Sequence, residues 1–144
     1  MKPYACRRER FLLSTDKALL DIDAIHAYLS QRSYWARERP REVVESSIEH
    51  SLCFGLYEGE RLVGFARVVT DYATFGWLCD LFILETHRGL GLGKWLVACI
   101  IAHPALRKIR RLLLATRDAH GLYRRYGEFD ALATPDHLMV RQTG

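Results

Sequence analysis

Residues 81–94 read LFILETHRGLGLGK, and within them Gly89, Gly91 and Gly93 alternate with larger residues. With no Cβ in the way, main-chain N–H groups at such positions can approach a ligand closely. An apolar run of helical length follows, so these donors and the positive end of a helix meet at one place, an arrangement that takes phosphate oxygens. Arg88 and Lys94 add positive charge on either side. Three phosphate-binding patterns compete for the segment. A GxGxxG beginning at Gly89 needs glycine at 94, where the chain has Lys94. A GxxxxGK[ST] built on Lys94 needs glycine at 88 and Ser or Thr at 95, where Arg88 and Trp95 stand. The pattern [Q/R]xxGx[G/A] is satisfied by Arg88, Gly91 and Gly93.

The elements that hold this loop follow from periodicity. Residues 76–84 (GWLCDLFIL) form a nearly all-apolar strand, as expected of one buried on both faces. Residues 94–102 are apolar nearly all round, predicting a helix packed between the sheet and other elements and stopped by His103-Pro104. Upstream, residues 10–14 read as a strand, Leu19, Leu20, Ile22, Ile25 and Tyr28 recur at helical spacing, and Val43, Val44 and Ile48 mark a second helix. Residues 52–57 and 62–69 form a hairpin about Glu58-Gly59-Glu60. Residues 109–115 predict another core strand, 119–126 a short helix, and Leu138, Met139 and Val140 a last strand. The order β-α-α-β-β-β-α-β-α-β gives an α/β or α+β domain around a mixed sheet.

The chain has 144 residues and a net charge of +4, with 49% hydrophobic and 26% charged residues. That composition excludes disorder, and one domain with a real core is the expectation at this length. No stretch approaches the roughly 18 apolar residues of a membrane span, and MKPYACRRERF lacks the apolar region of a secretory signal. A soluble, cytoplasmic protein is expected. The cysteines (6, 53, 79 and 99) include no CxxC, and the six histidines show no zinc-type spacing, so free thiols and no metal are expected.

At these residues the chain resembles the GNAT family of acetyl-CoA-dependent N-acetyltransferases. LFILETHRGLGLGKWLV is similar to that family's pyrophosphate-binding strand–loop–helix, and AHGLYRRYG (119–127) to its second signature, although Glu128 intervenes before Phe129. The resemblance implies a mixed, mostly antiparallel sheet flanked by helices and splayed at its central strands, with residues 1–144 as one domain. It also implies acetyl-CoA as cosubstrate and direct attack by a primary amine in a ternary complex. Main-chain groups of Leu81, Phe82 and Ile83 would bind the pantetheine arm and the acetyl carbonyl. The run Arg88, Gly89, Leu90, Gly91, Leu92, Gly93 and Lys94 would hold the pyrophosphate. Thr116 falls near a cofactor-contacting position, and Tyr123 matches the tyrosine that protonates the departing thiolate.

Each assignment stands beside a plainer reading. Asp80 interrupts an apolar strand, where an unpaired carboxylate is costly. With a pKa raised by burial it would serve as the base that deprotonates the amine; otherwise it attracts a cationic substrate, or is a structural acid paired with an arginine. Tyr123 is otherwise a packing residue. Tyr34, Trp35, Tyr72 and Trp77 either line an acceptor pocket or are core aromatics. The expected partners are acetyl-CoA and a small-molecule or peptide amine, with no nucleic acid and no membrane. The apolar edge at 138–140 is open to a second copy, as in a homodimer. The competing function is a CoA-binding module without turnover.

Overall fold

Hydrogen-bonded neighbours in the sheet are also neighbours along the chain in the computed structural model, which describes residues 1–143. The six strands run in the order β1 (Ala5–Arg8), β2 (Phe11–Ser14), β3 (Leu52–Glu58), β4 (Arg61–Thr70), β5 (Phe75–Ile83) and β6 (Arg111–Leu113). All pairs are antiparallel except β5 with β6, which is parallel and therefore needs a crossover. That crossover is α3 (Leu92–Ala102). Helices α1 (Ile22–Arg32) and α2 (Arg41–Glu49) lie between β2 and β3, and α4 (His120–Gly127) follows β6.

Alternation along the strands sorts the core into two layers. Phe54, Leu56, Val63, Ala66 and Val68 face one way and pack with Leu92, Leu96, Cys99 and Ile100 of α3. Cys53, Tyr57, Leu62 and Phe65 face the other way and pack with Ile25, Tyr28 and Leu29 of α1 and Val44 and Ile48 of α2. Each large side chain buried in this way contributes roughly 1.5–3 kcal/mol, and because helices cover both faces the central strands read as continuous apolar runs. Asp21 starts α1 by accepting from the Ala24 N–H at 3.0 Å. The four cysteines are free thiols, and no helix among the described residues is long and apolar enough to cross a membrane.

Two elements differ from expectation. The sequence predicts no strand at residues 5–8, yet β1 pairs with β2 there; its arginines leave no apolar alternation to read. The strand expected at Leu138, Met139 and Val140 is not formed, and Met139 is 96% exposed. An apolar triplet becomes a strand only where an edge accepts its hydrogen bonds, and here the three residues pair with none.

Candidate active site

The register between β4 and β5 slips in the middle. Phe65 opposes Phe82 and Arg67 opposes Cys79, so Asp80 and Leu81 together face the single residue Ala66. One extra residue on β5 makes a β-bulge, which interrupts the ladder and bends the strand. Asp80 has φ +55°, in the left-handed region that aspartate tolerates better than most residues. On its other side β5 pairs with β6 only from Phe75 to Trp77, after which the two strands part. The sheet is thus open beside the bulge, between β5 and the edge strand β6 rather than between two central strands as expected.

Two cavities meet at this opening. One, of about 500 Å³, lies between the parted strands and is lined by Trp77, Cys79, Asp80 and Leu81 on one side and by Thr116, Arg117 and Tyr123 on the other. The second, of about 550 Å³, runs from Leu81, Phe82 and Ile83 along Arg88, Gly89, Gly91, Leu92, Gly93 and Lys94. Tyr34, Trp35, Leu81, Asp118 and Leu122 border both, so they form the junction.

The second cavity ends on the start of α3. Gly91 precedes the helix with φ +78°, and no side chain caps it. The Trp95 N–H donates to the Gly91 carbonyl at 3.1 Å; the amides of Leu92, Gly93 and Lys94 precede it and have no intrahelical acceptor. At Gly93 an added Cβ would meet one atom within 4 Å, Ile83 Cγ1 at 3.9 Å, so the space above the loop is open. Unpaired amides, a helix N-terminus and open space fit a diphosphate. Arg88 is steered from below: its Nη2 donates to the Tyr28 hydroxyl at 2.8 Å and its Nε to the Ile83 carbonyl at 3.2 Å. The Tyr28 ring stacks on Phe82 with centroids 4.0 Å apart.

Asp80 is only 3% exposed, and its carboxylate is fully engaged. Oδ2 accepts from Arg67 Nε at 2.6 Å and Arg39 Nη1 at 2.8 Å, while Oδ1 accepts from Trp35 Nε1 at 2.8 Å. Burial pushes the carboxyl upward, but the charge and hydrogen bond of Arg67, reinforced by Arg39, hold its pKa below the ordinary carboxylate value. The raised pKa expected for a base at this position is therefore corrected; the pairing with arginine is what the structure contains. The Tyr123 phenol is pushed up to about 12, chiefly by burial and then by the charges of Tyr34 and Asp118, so it holds its proton at neutral pH.

The remaining site residues divide. Tyr34, Trp35 and Trp77 reach the opening, but Tyr72 sits exposed on the β4–β5 turn and lines neither cavity. Leu90 is likewise exposed and outside both. Thr116 lines the cavity between the strands rather than the glycine-loop cavity, and its Oγ1 accepts from the Ala119 N–H at 3.0 Å, bracing the turn into α4. The sequence alone does not single out Tyr28, Arg39, Arg67 or Arg117. Arg67 did carry a signal, a charge inside the apolar run LVGFARVV; Arg39, in a loop dense with charge, carried none.

A family model described as the acetyltransferase (GNAT) family matches residues 22–127. A Gibberella zeae protein named as an acetyltransferase is 34% identical over 99% of this chain and 96% of its own length. A crystal structure from Xanthomonas campestris pv. campestris, assigned to the GNAT acetyltransferases, superimposes with a TM-score of 0.88 at 50% identity over 92% of this chain and 93% of that one. A Staphylococcus aureus structure shares the fold at a TM-score of 0.71 and 20% identity, covering 93% of this chain and 99% of that one.

Proposed function

The chain belongs to the acetyltransferase (GNAT) family, and we propose on that premise that it moves the acetyl group of acetyl-CoA onto a primary amine by direct attack. The observation that carries this reading is the meeting of the two cavities at Leu81, one ending on unpaired amides and the other opening between the parted strands. Leu92, Gly93 and Lys94 would hold the CoA diphosphate, and Ile83 and Phe82 would take the pantetheine arm, so that the thioester would lie at the bulge. Arg88, steered by Tyr28, and Lys94 supply positive charge to the phosphates.

At the bulge, the main chain of Asp80 and Leu81 is released from the regular ladder. A donor there stabilises the oxyanion that forms when the amine nitrogen bonds to the thioester carbon; in other acyl-transfer sites such a donor contributes roughly 3–4 kcal/mol. Collapse re-forms the carbonyl, breaks the carbon–sulfur bond and sends the electron pair to sulfur. Tyr123 donates a hydrogen bond to that sulfur. With a phenol near 12 and a thiol near 8.5, complete transfer from tyrosine is uphill. The proton gained by sulfur therefore comes from the attacking nitrogen, with the Tyr123 hydroxyl relaying it. The products are the amide and free CoA thiol. Because Asp80 is occupied by two guanidiniums, the amine enters in its neutral form, and Asp80 takes no proton from it.

Calorimetry with CoA and acetyl-CoA, followed by thiol release over a panel of primary amines, tests the proposal. Binding of both nucleotides and acetyl-CoA-dependent release is the expected result. Binding without release across the panel would leave a CoA-binding module and overturn the transferase reading.

A further inference from the structure

Charge in the cavity between the parted strands is not balanced. Arg39 and Arg67 are both largely buried, with side-chain exposures of 20% and 13%, and both converge on the single Oδ2 of Asp80. Arg67 Nη1 makes one further hydrogen bond, to Ser51 Oγ at 3.1 Å. A guanidinium carries five N–H donors and does not deprotonate, and one carboxylate neutralises only one of two. Arg117 adds a third guanidinium at the mouth, 3.9 Å above the Tyr34 ring. The second carboxylate on the lining, Asp118, is exposed like Arg117, so water screens both at the mouth and the excess charge rests on the buried Arg39 and Arg67. The walls between these charges are Trp35 and Trp77.

Resting on the transferase reading above, we propose that the acceptor is an amine that also carries a carboxylate, which Arg39, Arg67 and Arg117 receive while the amine faces Leu81. Three features support this class. A planar carboxylate matches the paired donors that a guanidinium presents. Excess positive charge in a sheltered cavity repels a second ammonium, so a diamine enters poorly. The aromatic walls accommodate an apolar body between amine and acid.

The test compares acceptors that differ only in the distant charge. 4-(Aminomethyl)benzoate and 4-(aminomethyl)benzamide have the same amine and ring, and 1,4-bis(aminomethyl)benzene supplies the cationic case on that ring. With acetyl-CoA and full-length protein, the acid is expected to exceed the amide at least tenfold in kcat/KM, with the diamine slowest. Arg39→Gln and Arg117→Gln are each expected to lower the acid-to-amide ratio severalfold. The ratio is taken within one preparation, so any loss of folded protein cancels. A ratio near one, or a faster diamine, overturns the proposal while leaving acetyl transfer standing. If no amine turns over, calorimetry of the two N-acetylated products on CoA-loaded protein still decides it. Tighter binding of the acid supports the carboxylate site although the transferase reading fails; equal affinity or no binding overturns it.

Discussion

Adding one methyl group at Gly93 separates folding from nucleotide binding. Gly93 is the second residue of α3, and an added Cβ would lie 3.9 Å from Ile83 Cγ1, ordinary contact distance. Alanine there is tolerated and loses less backbone entropy on folding than glycine, a gain of about 0.5 kcal/mol in a first turn. For a chain of this size that raises Tm by about 1–2 °C. Binding should move the opposite way. An oxygen accepting from the Gly93 amide sits about 2.9 Å from the nitrogen, leaving the new carbon little more than contact distance. Gly93→Ala is expected to weaken CoA by about tenfold, or about 1.4 kcal/mol. Gly93→Val, branched at the same carbon, is expected to weaken it about a hundredfold, or about 2.8 kcal/mol. Differential scanning fluorimetry reads the first effect and calorimetry the second. Gly91 is a poorer choice, because its φ of +78° makes any side chain strained and confuses the two. Wild-type affinity in Gly93→Val would show that the diphosphate lies elsewhere, and the pyrophosphate cradle would have to be abandoned.

Tyr123→Phe is expected to lower kcat by about 10²-fold or more while leaving CoA affinity within twofold; an unchanged kcat across pH 6–9 would remove Tyr123 from the reaction. Tyr28→Phe removes the acceptor of the Arg88 hydrogen bond and is expected to raise KM for acetyl-CoA severalfold with kcat unchanged, so a fall in kcat alone would contradict the steering role. Asp80→Asn leaves Arg39 and Arg67 facing a neutral amide and is expected to cost about 3–5 kcal/mol in urea unfolding at pH 7. Because the folded-state pKa of Asp80 is depressed, the wild-type advantage is complete above the unfolded value of about 3.9 and is lost as pH falls through the folded value. The gap between the two proteins should therefore narrow below about pH 4, and a gap independent of pH down to 3 would refute the ion-pair account.

The glycine-loop half of the candidate site was legible because it is local. Strand, glycine loop and helix are consecutive in sequence, and their chemistry depends on main-chain amides that the glycines expose. The acceptor half is assembled from residues far apart in the chain: Trp35 and Arg39 after α1, Arg67 on β4, Asp80 on β5 and Arg117 after β6. Asp80 could be recognised as costly in an apolar strand, but the sign of its pKa depended on partners 13 and 41 residues away. Tyr72 shows the opposite failure. It stands near Trp77 in sequence, yet the β4–β5 turn carries it away from the opening. The C-terminal strand failed for another reason: hydropathy describes what a segment can bury, whereas a strand also needs an edge to accept its hydrogen bonds.

The bulge links the two halves energetically. A left-handed residue other than glycine costs about 1–2 kcal/mol, and Asp80 is held there by three hydrogen bonds from Arg67, Arg39 and Trp35. Charge-assisted bonds of this kind contribute roughly 1.5–3 kcal/mol each, more than enough to offset the strain. Those donors come from β4 and from the loop after α1, so elements outside β5 hold the distortion that frees the main chain at Leu81. The same arginines line the cavity between the parted strands. On the proposed function, a change at Arg39 or Arg67 is therefore expected to disturb acceptor choice and thioester placement together. Among the described residues no hydrogen bond or ion pair joins Arg117 to Asp80, and its guanidinium rests on Tyr34. On the proposed function, it is the position from which acceptor preference would shift while the bulge stays as it is.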